Sequence, residues 1–469
     1  MTLQLVLLAA GQGTRMASDR PKVLHEIAHA PLLYHALRSG LTLDPAHIVV
    51  VTGHGAADVV DALAQDFPEV ETVEQAERLG TAHAVAQAMP RLAGKGGHTL
   101  VLYGDTPLIP AETLQRLLAG LSEHAAMILG FEAADPGGYG RLVLDDDGAL
   151  ERIVEFKEAT EAERALRICN SGVIACATER LDAYLPRIGN QNASGEYYLT
   201  DLPGLLRADG LSCGVVLCAE AETLGVNSRA DLARAEAAFQ SRARDAAMAT
   251  GVTLAAPETV HLAWDTVLGR DVAVEPNVVF GPGVTVETGA RIRAFSHLEG
   301  CHVSSGAIVG PYARLRPGAE IADDARIGNF VEVKAAEIGP GAKINHLSYI
   351  GDATVGARSN VGAGTVTCNY DGVLKHRTII GEDAFVGSDT MLVAPVRLGD
   401  RSMTASGSVI TADVEDDALA IGRARQTNKP GLATKLMARL RALKEGRAAA
   451  RAAEARPDRE PGSADGGTN

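Results

Sequence analysis

Residues 306–328 read GAIVGPYARLRPGAEIADDARIG, and within them Val309, Leu315, Ile321 and Ile327 stand six apart. The same spacing runs ahead of this stretch through Val274, Phe280, Val286, Ile292 and Leu298. It returns at Ile338, Ile344 and Ile350, then at Ile380, Val386, Leu392, Leu398 and Ile410. A period of six suits neither the 3.6-residue repeat of an amphipathic helix nor the two-residue alternation of a strand. It is the period of a hexapeptide parallel β-helix, in which each hexad is a short strand and a turn. Three hexads close a triangular coil, the apolar residue fills the prism, and small residues occupy the corners. Glycine often follows the anchor, as at Gly281, Gly310, Gly328 and Gly381. The phase slips near 303, 333 and 351–355, and a longer break covers 367–378. Insertions in a solenoid emerge as loops on one side, commonly the binding side.

The first half has a different grammar. LQLVLLA (3–9), HIVVVTG (47–53) and TLVLYGD (99–105) are apolar runs bounded by Gly or Asp, with amphipathic segments such as PLLYHALRSGL and ETLQRLLAGL between them. This alternation predicts βαβ units and a mostly parallel sheet covered on both faces. Ligands bind such sheets at the carboxyl ends of the strands, so Gly11 and Asp105 are well placed for chemistry. RADLARAEAAFQSRARDAAMAT (229–250) has no Gly or Pro and reads as a long helical linker. The expected division is therefore 1–228, the helix 229–250, a β-helix over 251–430, and 431–469. Within the last segment Leu432, Leu436, Leu440 and Leu443 predict a capping helix, and the polar residues from 447 on predict disorder.

The chain has 469 residues, enough for two or three domains. Its 44 Lys+Arg against 59 Asp+Glu leave a net charge of −15, which argues against a general nucleic-acid binder. The six cysteines form no CxxC pair and read as reduced thiols of a cytoplasmic protein. The opening apolar run stops at Gly11, too short for a secretion signal or a membrane span.

LAAGQGTRM (8–16), followed by Pro21 and Lys22, is a Gly-rich loop leaving a strand. Its amides can form an anion nest, and Arg15 and Lys22 add the cations a polyphosphate requires. It is not a P-loop, because GxxxxGK[ST] is absent. With QAERLGTAHA (75–84), YGDTPL (103–108), GGYGR (137–141), IVEFKEAT (153–160), CNSG (169–172), GEYYLTD (195–201) and GVNSR (225–229), it resembles the sugar-1-phosphate nucleotidyltransferases. That resemblance implies a Rossmann-like α/β domain that takes UTP and Mg²⁺. Asp105 and Asn227 are its implied metal ligands, and Arg15 and Lys22 would neutralise the triphosphate and the leaving pyrophosphate. Leu8, Ala9, Ala10 and Gly11 would contact the uracil, with Gln75, Gly80 and Thr81 choosing the base. Tyr103 and Gly104 complete the strand end before Asp105, while Gly140, Glu155, Asn170 and Asn227 would hold the sugar. Ser171 stands where the family carries Thr.

In the second half the irregular positions carry the chemistry. GPYARLRPG (310–318) puts Arg314 and Arg316 on one side of a strand. Lys334 follows, then His346 and Tyr349 in INHLSYIGD, then Asn360, Ala363, Asn369 and Tyr370 in SNVGAGTVTCNYDG at the largest break in the repeat. These motifs resemble the glucosamine-1-phosphate acetyltransferases, whose fold is a left-handed parallel β-helix. Both halves together resemble the bifunctional N-acetylglucosamine-1-phosphate uridyltransferase / glucosamine-1-phosphate N-acetyltransferase family over residues 3–430. An acceptor amine with a pKa of about 8 is largely ammonium at neutral pH, so acetylation needs a base. Histidine, with a pKa of about 6.5, suits that task, and the resemblance assigns it to His346. It further implies that Arg316 and Lys334 bind the sugar phosphate and that Tyr349 and Asn360 complete the sugar pocket. Ala363, Asn369, Tyr370, Ser388, Ser406 and Arg423 would contact acetyl-CoA. Family members are homotrimers with sites between prisms.

Two rival readings remain. A single-activity nucleotidyltransferase with a regulatory β-helix would not require the HLSYIGD and TCNYDG clusters. A non-catalytic assembly subunit would not require Arg15, Lys22, Asp105, Asn227 and His346. A β-helix zinc site through His297 and His302 lacks a third histidine in suitable relation.

Overall fold

The computed structural model describes residues 2–146 and 148–454 and forms two compact units, which meet in sequence between Ala420 and Ile421. In the first unit Leu3–Ala9 is the buried central strand of a sheet, with His98–Tyr103 and His47–Thr52 parallel on either side. The strand order is Cys213–Cys218, Ala126–Glu132, Ile168–Ala177, His98–Tyr103, Leu3–Ala9, His47–Thr52, Glu71–Glu74. Helices cover both faces, as the alternation of apolar runs and amphipathic segments predicts.

The mostly parallel sheet contains one antiparallel strand on its main path. Ile168–Ala177 runs antiparallel to both of its neighbours. It follows the hairpin Arg141–Leu144/Leu150–Val154 rather than a crossover helix, so the chain re-enters the sheet in the opposite sense. Its register shifts between Asn170 and Ile174. There Gly172, at φ +92°, lies so close to the Tyr103 ring that a Cβ would sit 2.7 Å from it.

The helix Arg229–Ala249 is N-capped by Ser228, whose hydroxyl accepts the Asp231 N–H at 3.2 Å. Its buried Gln240 donates to the Leu262 carbonyl (2.7 Å) and accepts the Leu262 N–H (2.9 Å), tying it to the start of the β-helix. Arg38 stacks over Trp264, with the guanidinium carbon 3.3 Å from the ring centroid.

From Thr253 onward short parallel strands stack in three faces, the β-helix expected from the period of six and the left-handed one implied by the resemblance. Every hexad anchor is buried in one continuous apolar core. Where the phase slips near 333 and 351–355, two hexads fuse into the continuous strands Glu332–Ile338 and Tyr349–Val355. Each turns its corner at a single residue of positive φ, Ala335 (45°) and Asp352 (48°). Neighbouring coils advance by 17 or 18 residues, as Glu337 to Thr354 and Ile379 to Arg397. Across the long break the step from Thr354 to Ile379 is 25, so the extra chain at 369–376 leaves the prism as a loop.

Close stacking makes the glycines after the anchors structural. A Cβ on Gly328 would sit 1.9 Å from the Asn345 carbonyl oxygen of the next coil. Gly328→Ala is expected to destabilise the β-helix by about 3 kcal/mol, the upper end for overpacking, seen as a lower urea midpoint.

The second unit contains the helix Leu432–Glu454, which carries Leu432, Leu436, Leu440 and Leu443. The disorder expected from 447 on is corrected in part, because residues 447–454 continue this helix. Their Ala/Arg composition has high intrinsic helix propensity and does not depend on an apolar face. Residues 455–469, the rest of that expected tail, lie outside the described residues. Among the described residues no helix is long and apolar enough to cross a membrane.

Candidate functional site

At the carboxyl end of the central strands lies a cleft of about 260 Å³, lined by Leu8, Ala10, Gly11, Lys22, Gln75, Gly80, Thr81, Tyr103 and Asp105. Ala9 is buried in the sheet behind it, and the Gly104 N–H donates to the Leu8 carbonyl at 3.0 Å. The Lys22 ammonium makes an ion pair with Asp105 and donates to the Asn227 amide oxygen at 3.0 Å. Asn227 reaches this point because the Val226 N–H donates to the Asp105 carbonyl (2.9 Å) and the Asn227 N–H to the Asp231 carboxylate (3.0 Å). Three residues spread over 205 positions thus share one charge cluster.

The loop that carries Gln75, Gly80 and Thr81 is clamped from outside. Gly80, at φ +114°, packs so that a Cβ would lie 2.5 Å from the Tyr197 carbonyl. The Ala82 N–H donates to that carbonyl (2.9 Å), and the Leu199 N–H donates to the Thr81 hydroxyl (2.9 Å). The GEYYLTD segment is therefore the outer wall of the QAERLGTAHA loop. Next to the cleft, Gly140, Glu155 and Asn170 converge. A Cβ on Gly140 would be 3.6 Å from Glu155 Oε2 and 3.7 Å from the Asn170 Cβ. Burial pushes the Glu155 pKa up, opposed by the Thr200 hydroxyl that donates to it at 3.0 Å. Tyr103 stays a phenol because burial, then the charges of Asp105 and Glu155, raise its pKa.

Arg15 is exposed in the short turn Thr14–Met16 and does not line the cleft. Two charged residues that sequence reasoning did not select do line it, Arg78 and Glu196, beside the apolar Val23 and Ala84. Arg78 donates to Gln12 Oε1 at 2.8 Å, across the mouth of the Gly-rich loop. Both lie inside motifs already singled out, so their neighbours were the available signal.

In the β-helix a second cluster spans one face. His346 ends the strand Lys343–His346, and its Nδ1 is 2.7 Å from Asn329 Oδ1 one coil earlier. With Asn329 accepting, the hydrogen sits on Nδ1, and no hydrogen bond within the described residues reaches the Nε2 lone pair. The Gly364 N–H reaches the His346 carbonyl (3.4 Å), the Asp389 N–H the Ala363 carbonyl (2.7 Å), and the Gly407 N–H the Ser388 carbonyl (2.8 Å). His346, Ala363, Ser388 and Ser406 therefore climb one corner of the prism, coil by coil. Asn360 lies on the next strand of the His346 sheet, beside Lys343.

The strand Tyr349–Val355 continues from this corner. At the far end of its first face Lys334 pairs with Asp352 at 3.5 Å, and Asn369 bonds the same carboxylate. Arg316 is held by Glu332 at 2.8 Å. The Tyr349 hydroxyl lies over Gly351, where a Cβ would meet it at 2.3 Å, and is 3.5 Å from the Asn369 amide. Lys375 in the projecting loop was not selected from sequence. Its ammonium group lies beside that of Lys334, whose charge lowers the Lys375 pKa. Three cations thus gather at one corner and His346 stands at the other. Tyr370 is exposed on the loop, with its hydroxyl donating to the Gly372 carbonyl at 2.5 Å. Arg423 belongs to the second unit.

Residues 5–175 match the family model of the MobA-like NTP transferase domain. The chain is 65% identical over 445 residues to the Bifunctional protein GlmU of Ruegeria pomeroyi, covering 95% of this chain and 98% of that protein. It is 64% identical over 448 residues to the protein of the same name from Ruegeria sp., covering 96% and 100%. With the counterpart from Jannaschia sp. it shares 61% over 444 residues, covering 94% and 97%. The chain belongs to the GlmU family. Both clusters lie inside the aligned length, so the GlmU likeness covers the β-helix as well as the nucleotidyltransferase fold.

A GlmU chain also raises the question of a metal. Among the described residues no group of three or more His, Cys, Asp or Glu is arranged to hold one, which disfavours a protein-only cage. Asp105 and Asn227 instead turn two oxygen donors toward one point, where the Lys22 ammonium stands in for a cation. One carboxylate and one amide suit Mg²⁺, which keeps several waters and takes its other ligands from substrate phosphates. His302, considered above for zinc, lies between Glu287 (3.0 Å) and Glu320 (3.4 Å) in a ladder across three coils.

Proposed function

We propose that this GlmU protein performs its two transfers at the two clusters: acetylation in the β-helix, residues 251–430, and uridyl transfer in residues 1–228. The chain is an enzyme that acetylates glucosamine-1-phosphate from acetyl-CoA and couples N-acetylglucosamine-1-phosphate to UTP. For acetylation, the supporting observation is His346, with no hydrogen bond within the described residues to its Nε2, at one end of a face whose other end carries Arg316 and Lys334. The cations fix the sugar phosphate, His346 removes a proton from the amine, and the amine nitrogen bonds to the thioester carbonyl as the CoA thiolate leaves. Tyr349 and Asn360 border the sugar. Ala363, Asn369, Tyr370, Ser388 and Ser406 contact acetyl-CoA.

For uridyl transfer, the supporting observation is the Lys22–Asp105–Asn227 cluster at the strand ends. A phosphate oxygen of the sugar attacks the α-phosphorus of UTP, and pyrophosphate leaves. Asp105 and Asn227 would hold Mg²⁺, which when bound supplies neutralisation of the phosphate charge. Lys22 and Arg15 steady the triphosphate. Gln75, Gly80 and Thr81 read the base, while Gly140, Glu155 and Asn170 hold the sugar.

The working form is a homotrimer assembled through the β-helix, in the cytoplasm. Phe295, Tyr312 and Phe330 stack along one edge, with centroids 4.9 and 5.3 Å apart, and all three rings are exposed. Val373 and Leu374 project from the inserted loop. Such a surface is more apolar than an isolated prism requires. All six cysteines are free, which fits a reducing compartment.

The test is to measure acetyl-CoA consumption with glucosamine-1-phosphate in the absence of UTP. Pyrophosphate release with N-acetylglucosamine-1-phosphate is measured separately, and mass by light scattering. Both activities on a threefold mass are expected. Pyrophosphate release without acetylation would leave a plain nucleotidyltransferase.

A further inference from the structure

We infer that His83 is a positioning residue that sets the hydrogen-bonding sense of Gln75 and so determines which pyrimidine nucleotide the cleft accepts. The inference rests on the reading that Gln75 faces the base. Gln75 is buried, with 4% of its surface exposed, at the wall of the cleft. Its amide nitrogen is 3.0 Å from the Gly80 carbonyl and 3.0 Å from His83 Nδ1. A backbone carbonyl only accepts, so the group facing Gly80 must be the NH₂. The same nitrogen can only donate to the imidazole, so Nδ1 is the acceptor and the His83 hydrogen sits on Nε2. Both N–H bonds of Gln75 are then used inside the protein. No hydrogen bond within the described residues reaches its Oε1, so the polar atom left for a bound base is an acceptor.

An acceptor there calls for a base with a ring N–H on its pairing edge. Uracil offers N3–H, whereas cytosine presents a lone pair at N3, which Oε1 repels. Turning the Gln75 amide over would suit cytosine, but would bring Oε1 against both the Gly80 carbonyl and Nδ1. Gly80 is fixed by its positive φ and by Tyr197, and His83 stands in the first turn of the helix Thr81–Leu92. Gln87 also brings its amide nitrogen to His83, 3.2 Å from Nε2 and 3.1 Å from the backbone carbonyl. Neutral imidazole accepts at one nitrogen only. Gln87 is less buried than Gln75 and keeps its bond to the His83 backbone carbonyl with one N–H, so its longer contact, to Nε2, is the one that gives way.

The test compares kcat/KM for UTP and CTP in the full-length enzyme and in His83→Ala, His83→Asn and Gln75→Ala. Losing one of the two bonds that hold the amide is expected to lower the UTP-over-CTP preference about tenfold in His83→Ala, the size of one buried hydrogen bond. His83→Asn, whose side-chain oxygen can accept as Nδ1 does, is expected to restore most of it. His83 also borders a separate open cavity of about 480 Å³, so truncation leaves no sealed void, and acetyl transfer reports that the chain is folded. Equal losses with both nucleotides, or an unchanged ratio, in His83→Ala would overturn the inference. An unchanged ratio in Gln75→Ala as well would instead overturn the placement of the base.

Discussion

Asp105→Asn is expected to lower pyrophosphate release about a thousandfold, a loss of about 4 kcal/mol of transition-state stabilisation, while acetyl transfer is retained. The side chain keeps its size, and the backbone bond from Val226 to the Asp105 carbonyl is untouched, so the fold is preserved. What changes is charge. Lys22 loses the carboxylate that holds it, and Asn227 is left facing a second amide across the point where a cation belongs. Uridyl transfer brings two anions together, so its barrier is most sensitive to the groups that organise positive charge at the phosphates. Raised Mg²⁺ concentration is expected to recover part of the activity by mass action. Full activity in the variant at ordinary Mg²⁺ would show that the phosphates are neutralised elsewhere.

The β-helix was legible because its period repeats for more than a hundred residues and each anchor meets the same demand, to fill a narrow prism. The sheet was legible as far as apolar runs show it. The reversed direction of Ile168–Ala177 was not, because the alternation of apolar runs carries no sign of strand direction. The end of the terminal helix was missed for a related reason, since hydropathy is silent about a helix stabilised by Ala and Arg propensity. In the sites, residues within compact motifs were found, whereas the partners Asn329 and Lys375 were not. Lys22, Asp105 and Asn227 stand in three different motifs, and the structure shows that they form one cluster. Asn329 and Lys375 carry no motif of their own. Their positions follow from coil-to-coil register, 17 residues from Asn329 to His346, and from the loop that interrupts it.

His346→Ala is expected to cost acetyl transfer about 10²- to 10⁴-fold, the usual contribution of a positioned general base, with uridyl transfer from supplied N-acetylglucosamine-1-phosphate unchanged. The side chain is exposed and gives up a single hydrogen bond, the one to Asn329, so stability should change little. The loss of rate follows from the ionisation of the substrate. Without a base, only the neutral fraction of the amine attacks, and the proton released as the amide forms has to reach water unaided. Two further observations separate this role from substrate holding. KM for glucosamine-1-phosphate should move far less than kcat, because the phosphate ligands of the proposed reading, Arg316 and Lys334, stand at the opposite corner of the face. Added imidazole should recover part of the rate, since removal of the ring leaves an open space beside Asn329 for a base of the same size. A KM effect with kcat preserved would make His346 a binding group and move the search for the base to other groups along the same face.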